Sequence, residues 1–181
     1  MNSLPSAVFL DRDGTIIRDV KYISRPEDVA LLDGAAEAIA RINAALVPVV
    51  VVTNQSGIGR GYFNLADYES VKARLEELLA ERGAKVDASY HCPHLPEDGC
   101  RCRKPGTLLF ERAADDLGID LHKALLVGDR LRDIEPALSF GAHAVLVPTE
   151  RTPPDEVERA ESSARVADSL ATALDWYLCT N

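Results

Sequence analysis

The stretch that most constrains the fold is Val47-Pro48-Val49-Val50-Val51-Val52. A continuous β-branched run has no polar face, so it fits only a strand covered on both sides. Pro48 stands near its start, where a missing N–H is tolerated. Shorter apolar runs at 7–10, 124–127 and 144–147 read as further strands, and 86–91 alternates like one. Helical patterns lie between them. Residues 34–45 place Ala35, Ala38, Ile39 and Ile42 on one side. Asn64 is a cap for a helix running to about Arg82, with an apolar stripe of Leu65, Tyr68, Val71, Leu75, Leu78 and Leu79. Further helices are expected at 107–117 with Gly118 as the stop, at 131–140 closed by Gly141, and at 168–178. The Pro- and Glu-rich stretch 150–163 reads as surface. This alternation predicts an α/β fold, a Rossmann-like parallel sheet with helices on both faces.

In such sheets ligands bind beyond the carboxyl ends of the strands. Polar residues gather there in this chain. Asp11-Arg12-Asp13-Gly14-Thr15 follows the first run, Thr53-Asn54-Gln55-Ser56 the second, and Gly128-Asp129, with Asp133 one turn on, the fourth. Asp11, Asp13 and Asp129 on neighbouring strand ends would repel one another unless a cation joined them. Mg²⁺ takes oxygen ligands and commonly combines one or two carboxylates with phosphate and water. The carboxylates therefore predict Mg²⁺, and Mg²⁺ predicts phosphate. Asp133 is read either as support for this group or as an ordinary helix acid facing solvent.

The segment Cys92-Pro93-His94-Leu95-Pro96-Glu97-Asp98-Gly99-Cys100-Arg101-Cys102 offers three thiols and an imidazole. Cys92, His94, Cys100 and Cys102 make a complete tetrahedral zinc set with no position left for catalysis, so the site should be structural. His91 competes with His94, but on a strand it points away from Cys92. The plainer reading is free cysteines in a polar loop. Cys179 lies far off and reads as an ordinary terminal side chain. The loop, at about 91–103, leads straight into Arg103-Lys104, so zinc would hold these cations at the site.

Composition bounds the partners. The chain has 181 residues, 46% hydrophobic and 27% charged, with a formal net charge of -9. That length suits one domain over 1–181. The acidic balance argues against nucleic acid or an anionic membrane as partner. No apolar run has the length of a membrane span, and the first residues lack the basic start of a secretory signal, so a cytoplasmic monomer is expected.

Four segments in order, DRDGT, VVVTNQSG, RKPG and VGDRLRD, resemble the motifs of the haloacid dehalogenase-like phosphotransferases across essentially the whole chain. The resemblance implies that Asp11 attacks phosphorus and forms an aspartyl-phosphate, while Asp13 serves as general acid and then general base. It implies Thr53 and Lys104 as partners of the phosphoryl oxygens. It also implies Mg²⁺ on Asp11, Asp129 and the main-chain carbonyl of Asp13, with Asp133 in support. No insertion is large enough for a globular cap, so an open site is expected. DRDGT, TNQSGIGRG and the CxH…CxC loop before RKP are similar to the D-glycero-D-manno-heptose-1,7-bisphosphate 7-phosphatase family and to the histidinol-phosphate phosphatases, which share the zinc loop. By that likeness the substrate is a small phosphorylated metabolite, a sugar bisphosphate, losing its 7-phosphate. Arg12, Asp19, Tyr22, Asn54, Gln55, Ser56 and Arg103 would contact it. Lys21 stands where a glycine often precedes the Tyr. Other readings are a histidinol-phosphate phosphatase, a phosphotransferase or mutase, and a non-catalytic zinc-stabilised binding module.

Overall fold

The computed structural model describes residues 4–178. Six strands form one sheet: β1 (Val8–Leu10), β2 (Val49–Asn54), β3 (Ala88–Cys92), β4 (Leu125–Gly128), β5 (His143–Leu146) and β6 (Arg165–Val166). Their order is β3-β2-β1-β4-β5-β6, and every pair is parallel. The central β1 sets Phe9 opposite Val50 on one side and Leu126 on the other. Strand order reverses at β1, so its carboxyl end and that of β4 flank the crevice where a ligand enters.

Alternation along the strands sorts side chains onto two faces. Val8, Leu10, Val49, Val51, Leu125, Val127 and Val145 join Ile39 and Ile42 of α1 (Ala35–Ala44), Val71, Leu75 and Leu79 of α3 (Leu65–Ala80), and Leu174 of α8 (Leu170–Leu178). Phe9, Val50, Val52, Leu126 and Leu146 face the other way. There they meet Leu109, Phe110 and Ala113 of α4 (Leu108–Leu117), and Ala137 and Ala160 of α6 (Pro136–Phe140) and α7 (Pro154–Glu161). Each fully buried Leu, Ile or Val contributes about 1.5–3 kcal/mol. The helices on both faces match the fold expected from sequence.

Several boundaries differ, each for a local reason. β2 runs on to Asn54, because Thr53 and Asn54 pair with His91 and Cys92 of β3. Thr53 and Asn54 are therefore strand residues, not loop. The helix expected over 131–140 is two pieces, α5 (Leu131–Ile134) and α6, because Pro136 has no N–H for the helical ladder. Leu65, counted in the stripe of α3, is 53% exposed, and the buried face is Tyr68, Val71, Leu75 and Leu79. The stretch 150–163 holds α7, entered through Pro153-Pro154 with Pro at the first helical turn. Its sequence hid it, since only Val157 and Ala160 face the core. Between β2 and β3 lie α2 (Ser56–Gly59) and α3. Cys179 lies outside the described residues.

Candidate active site

Asp11 is the first residue beyond β1, and its N–H donates to the Val127 carbonyl at 3.0 Å. Asp129 follows Gly128, the last residue of β4. Asp133 sits in α5, where its Oδ2 accepts from the Arg130 N–H at 3.0 Å. Carboxylate oxygens of Asp11, Asp129 and Asp133 all lie within 4.8 Å of one another. Two glycines make this approach possible. A Cβ on Gly14, which has φ +89°, would stand 2.6 Å from Asp129 Oδ2; one on Gly128 would stand 2.3 Å from the Asp133 Cβ. Lys104 reaches the group from β3's side: its Nζ lies 2.7 Å from Asp11 Oδ1 and 2.8 Å from Asp133 Oδ1, and also donates to the Val52 carbonyl.

One ammonium does not balance three buried carboxylates. Burial, with Asp11 and Asp133 nearby, pushes Asp129 up to about 8. Burial also raises Asp11, to about 6, against the lowering effect of Lys104. Lys104 is held above the ordinary lysine range: burial works against its charge, and Asp11 and Asp133 outweigh it. A hard dication with oxygen ligands fits this deficit of positive charge. Because the folded-state value of Asp129 is raised, its ionisation costs stability progressively from about pH 4 to pH 8. In magnesium-free buffer with zinc retained, Asp129→Asn is expected to raise Tm at pH 8. The gain is on the order of 2–3 kcal/mol, or about 5–10 °C, and it shrinks toward pH 5. Thermal melts at the two pH values check this; a lower Tm at pH 8 contradicts it.

Asp13 is placed differently. Its carboxylate accepts from Arg12 Nε and Nη2 at 3.0 and 3.1 Å and from Gln55 Nε2 at 2.9 Å, apart from the three grouped acids. Arg12, expected against substrate, is only 2% exposed and lies 5.6 Å from the Tyr68 ring centroid. It does not line the cleft; it holds Asp13. Asn54 has a second role beside lining the cleft. Its Oδ1 accepts from the Lys104 N–H at 3.0 Å and its Nδ2 donates to the Lys104 carbonyl at 3.2 Å, so the side chain clamps the lysine backbone. Thr53 Oγ1 accepts from Gln55 Nε2 at 2.8 Å, leaving its own hydrogen for the cleft.

The second constellation closes as read from sequence. Cys92, His94, Cys100 and Cys102 offer donor atoms within 4.8 Å of one another. His94 Nδ1 is 3.1 Å from Cys102 Sγ and 3.5 Å from Cys92 Sγ; Cys92 Sγ is 3.2 Å from Cys102 and 3.6 Å from Cys100. Donors about 3.3–3.8 Å apart are what a tetrahedron with zinc–sulfur and zinc–nitrogen bonds requires. All three cysteines are free thiols, so the donor chemistry fits zinc. Burial pushes the Cys92 thiol up to about 12, a cost that a coordinated dication removes. His91 lies instead against the Tyr68 ring, centroids 4.1 Å apart. The loop packs closely on α2: the Gly59 N–H donates to the Pro93 carbonyl at 3.0 Å, and a Cβ there would come within 2.7 Å of that oxygen.

The model of the family described as HAD-hydrolase-like matches residues 101–173. A Pseudomonas aeruginosa D-glycero-beta-D-manno-heptose-1,7-bisphosphate 7-phosphatase is 43% identical over 145 residues, 80% of this chain and 82% of the relative. A Thermosynechococcus vestitus D-glycero-D-manno-heptose-1,7-bisphosphate 7-phosphatase is 38% identical, covering 97% of this chain and 96% of its own length. The chain belongs to the heptose-bisphosphate phosphatase family of HAD-like hydrolases. A crystal structure of the Bordetella bronchiseptica D,D-heptose 1,7-bisphosphate phosphatase, complexed with magnesium and phosphate, superposes with TM-score 0.86 at 34% identity, over 96% of this chain and 98% of that one.

In this HAD-like phosphatase the cleft above the acids is about 500 Å³. Asp19, Tyr22, Thr53, Asn54, Gln55, Ser56 and Arg103 line it, with Asp11, Asp13, Asp129 and Asp133. So do Lys21, named above only as the neighbour of Tyr22, and Arg60, Arg130, Arg132 and Arg151, to which the sequence alone gave no role. Arg60 lies inside GIGRG and Arg132 inside VGDRLRD, so their place in the motifs was the available signal. Arg151 had none; it is recruited by Asp19, 3.1 Å away across the cleft mouth. Lys21 and Tyr22 both take φ +58°, a conformation glycine adopts more readily. No helix of the described residues is long and apolar enough to cross a membrane.

Proposed function

We propose that this chain removes the 7-phosphate of D-glycero-D-manno-heptose 1,7-bisphosphate through an aspartyl-phosphate on Asp11. Asp11 Oδ attacks phosphorus while the bond from phosphorus to the sugar oxygen breaks. Asp13, steadied by Arg12 and Gln55, gives its proton to the leaving oxygen. It then takes a proton from water, which attacks the phosphoryl group, releases inorganic phosphate and frees Asp11. Thr53 donates to the phosphoryl oxygens. Lys104 keeps Asp11 ionised and correctly aimed, since its contacts run to Asp11, Asp133 and the Val52 carbonyl. Asp11, Asp129 and the Asp13 carbonyl would hold Mg²⁺, with Asp133 in support; when bound, this ion neutralises charge on the transferring group. Zinc on Cys92, His94, Cys100 and Cys102 would be structural. It would keep Arg103 at the rim, where Nη1 donates to the His94 carbonyl at 3.3 Å.

The observation that carries the substrate is the charge of the cleft. Lys21, Arg60, Arg103 and Arg132, together with the ion-paired Arg130 and Arg151, surround the acidic floor. That rim suits a second anionic group. It does not suit the ammonium of histidinol phosphate, which like charges would repel. The names of the relatives support the same substrate. The test is a comparison of kcat/KM for heptose 1,7-bisphosphate and histidinol phosphate in Mg²⁺, with the released position identified. The expected result is at least a 100-fold preference for the bisphosphate and release from C7. A preference for histidinol phosphate overturns this reading, and so does phosphoryl transfer to an acceptor other than water.

A further inference from the structure

Helix α7 does more than cover the sheet. Its Glu156 Oε2 accepts from Arg130 Nε at 3.0 Å and from the Leu131 N–H at 2.7 Å, while Oε1 accepts from Arg130 Nη2 at 2.5 Å. Four residues upstream, Thr152 Oγ1 donates to the Asp129 carbonyl at 2.7 Å. The segment from Thr152 to Glu156 thus grips the whole turn that carries Asp129, Arg130 and Leu131. The ion pair is largely buried, with side-chain exposures of 26% for Arg130 and 16% for Glu156. Their mutual hydrogen bond holds Glu156 below the usual carboxylate range and Arg130 above the usual arginine range, so both remain charged.

Arg130 also lines the cleft, beside Asp129. Glu156 occupies the Nε and one Nη2 hydrogen of the guanidinium. The Nη1 hydrogens and the other Nη2 hydrogen lie on the edges left open, and a planar guanidinium fixed along one edge has its remaining edges fixed too. A free arginine would surrender rotamer freedom each time a ligand arrived; here that freedom is already lost in the folded protein.

We propose that Glu156 is a positioning residue for substrate discrimination: it holds Arg130 so that its open edge receives a second anionic group, distant from the phosphoryl group under attack. This rests on the reading of the substrate as a bisphosphate. Because Glu156 neutralises the charge of Arg130, recognition here relies on directed N–H donors more than on net charge.

The test uses the Mg²⁺-loaded, zinc-replete enzyme and its Glu156→Gln, Glu156→Ala, Arg130→Met and Arg130→Met/Glu156→Ala variants. Two readouts are taken. One is the ratio of kcat/KM for heptose bisphosphate to that for 4-nitrophenyl phosphate. The other is the Ki of fructose 1,6-bisphosphate against 4-nitrophenyl phosphate hydrolysis, compared with the Ki of fructose 6-phosphate. Glu156→Ala is expected to lower the first ratio about 10-fold, chiefly through KM, and to raise the bisphosphate Ki about 10-fold more than the monophosphate Ki. In the Arg130→Met background the same change should add less than about twofold. Glu156→Gln should fall between, and it serves alone if the alanine variant does not fold. Equal losses on both substrates would mark Glu156 as merely structural and overturn the proposal, as would additive effects in the double variant. A wild-type enzyme that is inhibited selectively by bisphosphate yet leaves heptose bisphosphate intact would overturn the substrate reading alone, since the Ki comparison still decides the role of Glu156.

Discussion

Asp11→Asn should release inorganic phosphate at least about 10⁴-fold more slowly than the wild type, from the sugar bisphosphate and from an aryl phosphate alike. The amide has nearly the shape of the carboxylate and none of its nucleophilicity. Lys104 keeps Asp133 as a partner, 2.8 Å from Nζ, so the lysine is not stranded. Burial already raises the Asp11 carboxyl to about 6, and removing that charge relieves repulsion from Asp133 and Asp13. Tm should therefore stay within a few degrees of the wild-type value. The decisive measurement is phosphate release under single-turnover conditions, with a thermal melt on the same sample. Turnover within tenfold of wild type, from a protein of verified sequence, would remove Asp11 as the nucleophile.

Lys104→Met should damage both activity and stability. Its Nζ is the ammonium bound to both Asp11 and Asp133, and its side chain is 2% exposed. Without it two buried carboxylates lose their counter-charge, a change that costs about 3–5 kcal/mol. In a chain of this length that is a Tm drop on the order of 10 °C. The sign with pH follows. The folded pKa of Lys104 lies above the unfolded one, so its contribution is complete below the ordinary lysine range and constant between pH 5 and 8. The deficit in the variant nevertheless shrinks toward pH 5, because Asp11, whose carboxyl burial already raises to about 6, takes up a proton there. A fall in kcat of about 10²–10³ should accompany it, since Asp11 is no longer held ionised in place. Equal Tm values for variant and wild type at pH 8 would contradict the account.

Much of this was legible because the chemistry depends on local order. Residues 7–10 and 124–127 announce strands by their unbroken apolar character, and Asp11 and Asp129 stand within two residues of their ends. Cys92, His94, Cys100 and Cys102 lie close together in the chain, so spacing alone was enough to nominate them together. What failed depends on partners far apart in the chain. Arg12 reads as a cation beside a phosphate site, but the ring of Tyr68 and the carboxylate of Asp13 turn it inward. Asn54 lines the cleft, but nothing near it in sequence shows that Lys104, 50 residues away, takes both ends of its amide. Glu156 and Arg151 sit in a stretch whose composition looks like solvated surface, and only their pairing with Arg130 and Asp19 gives them meaning. Pro136 was visible, but a proline can enter a second helix as easily as it ends the first, and here it does both.

The strand order also sorts the polypeptide by its own sequence. β1, β2 and β3 lie on one side of the crevice and β4, β5 and β6 on the other, so within the sheet the two halves join at the seam between β1 and β4. Scission in the turn after Gly118 would leave Asp11, Asp13 and Lys104 on one piece and Asp129 and Asp133 on the other. Neither piece alone could turn over substrate, and phosphate release would report their reunion.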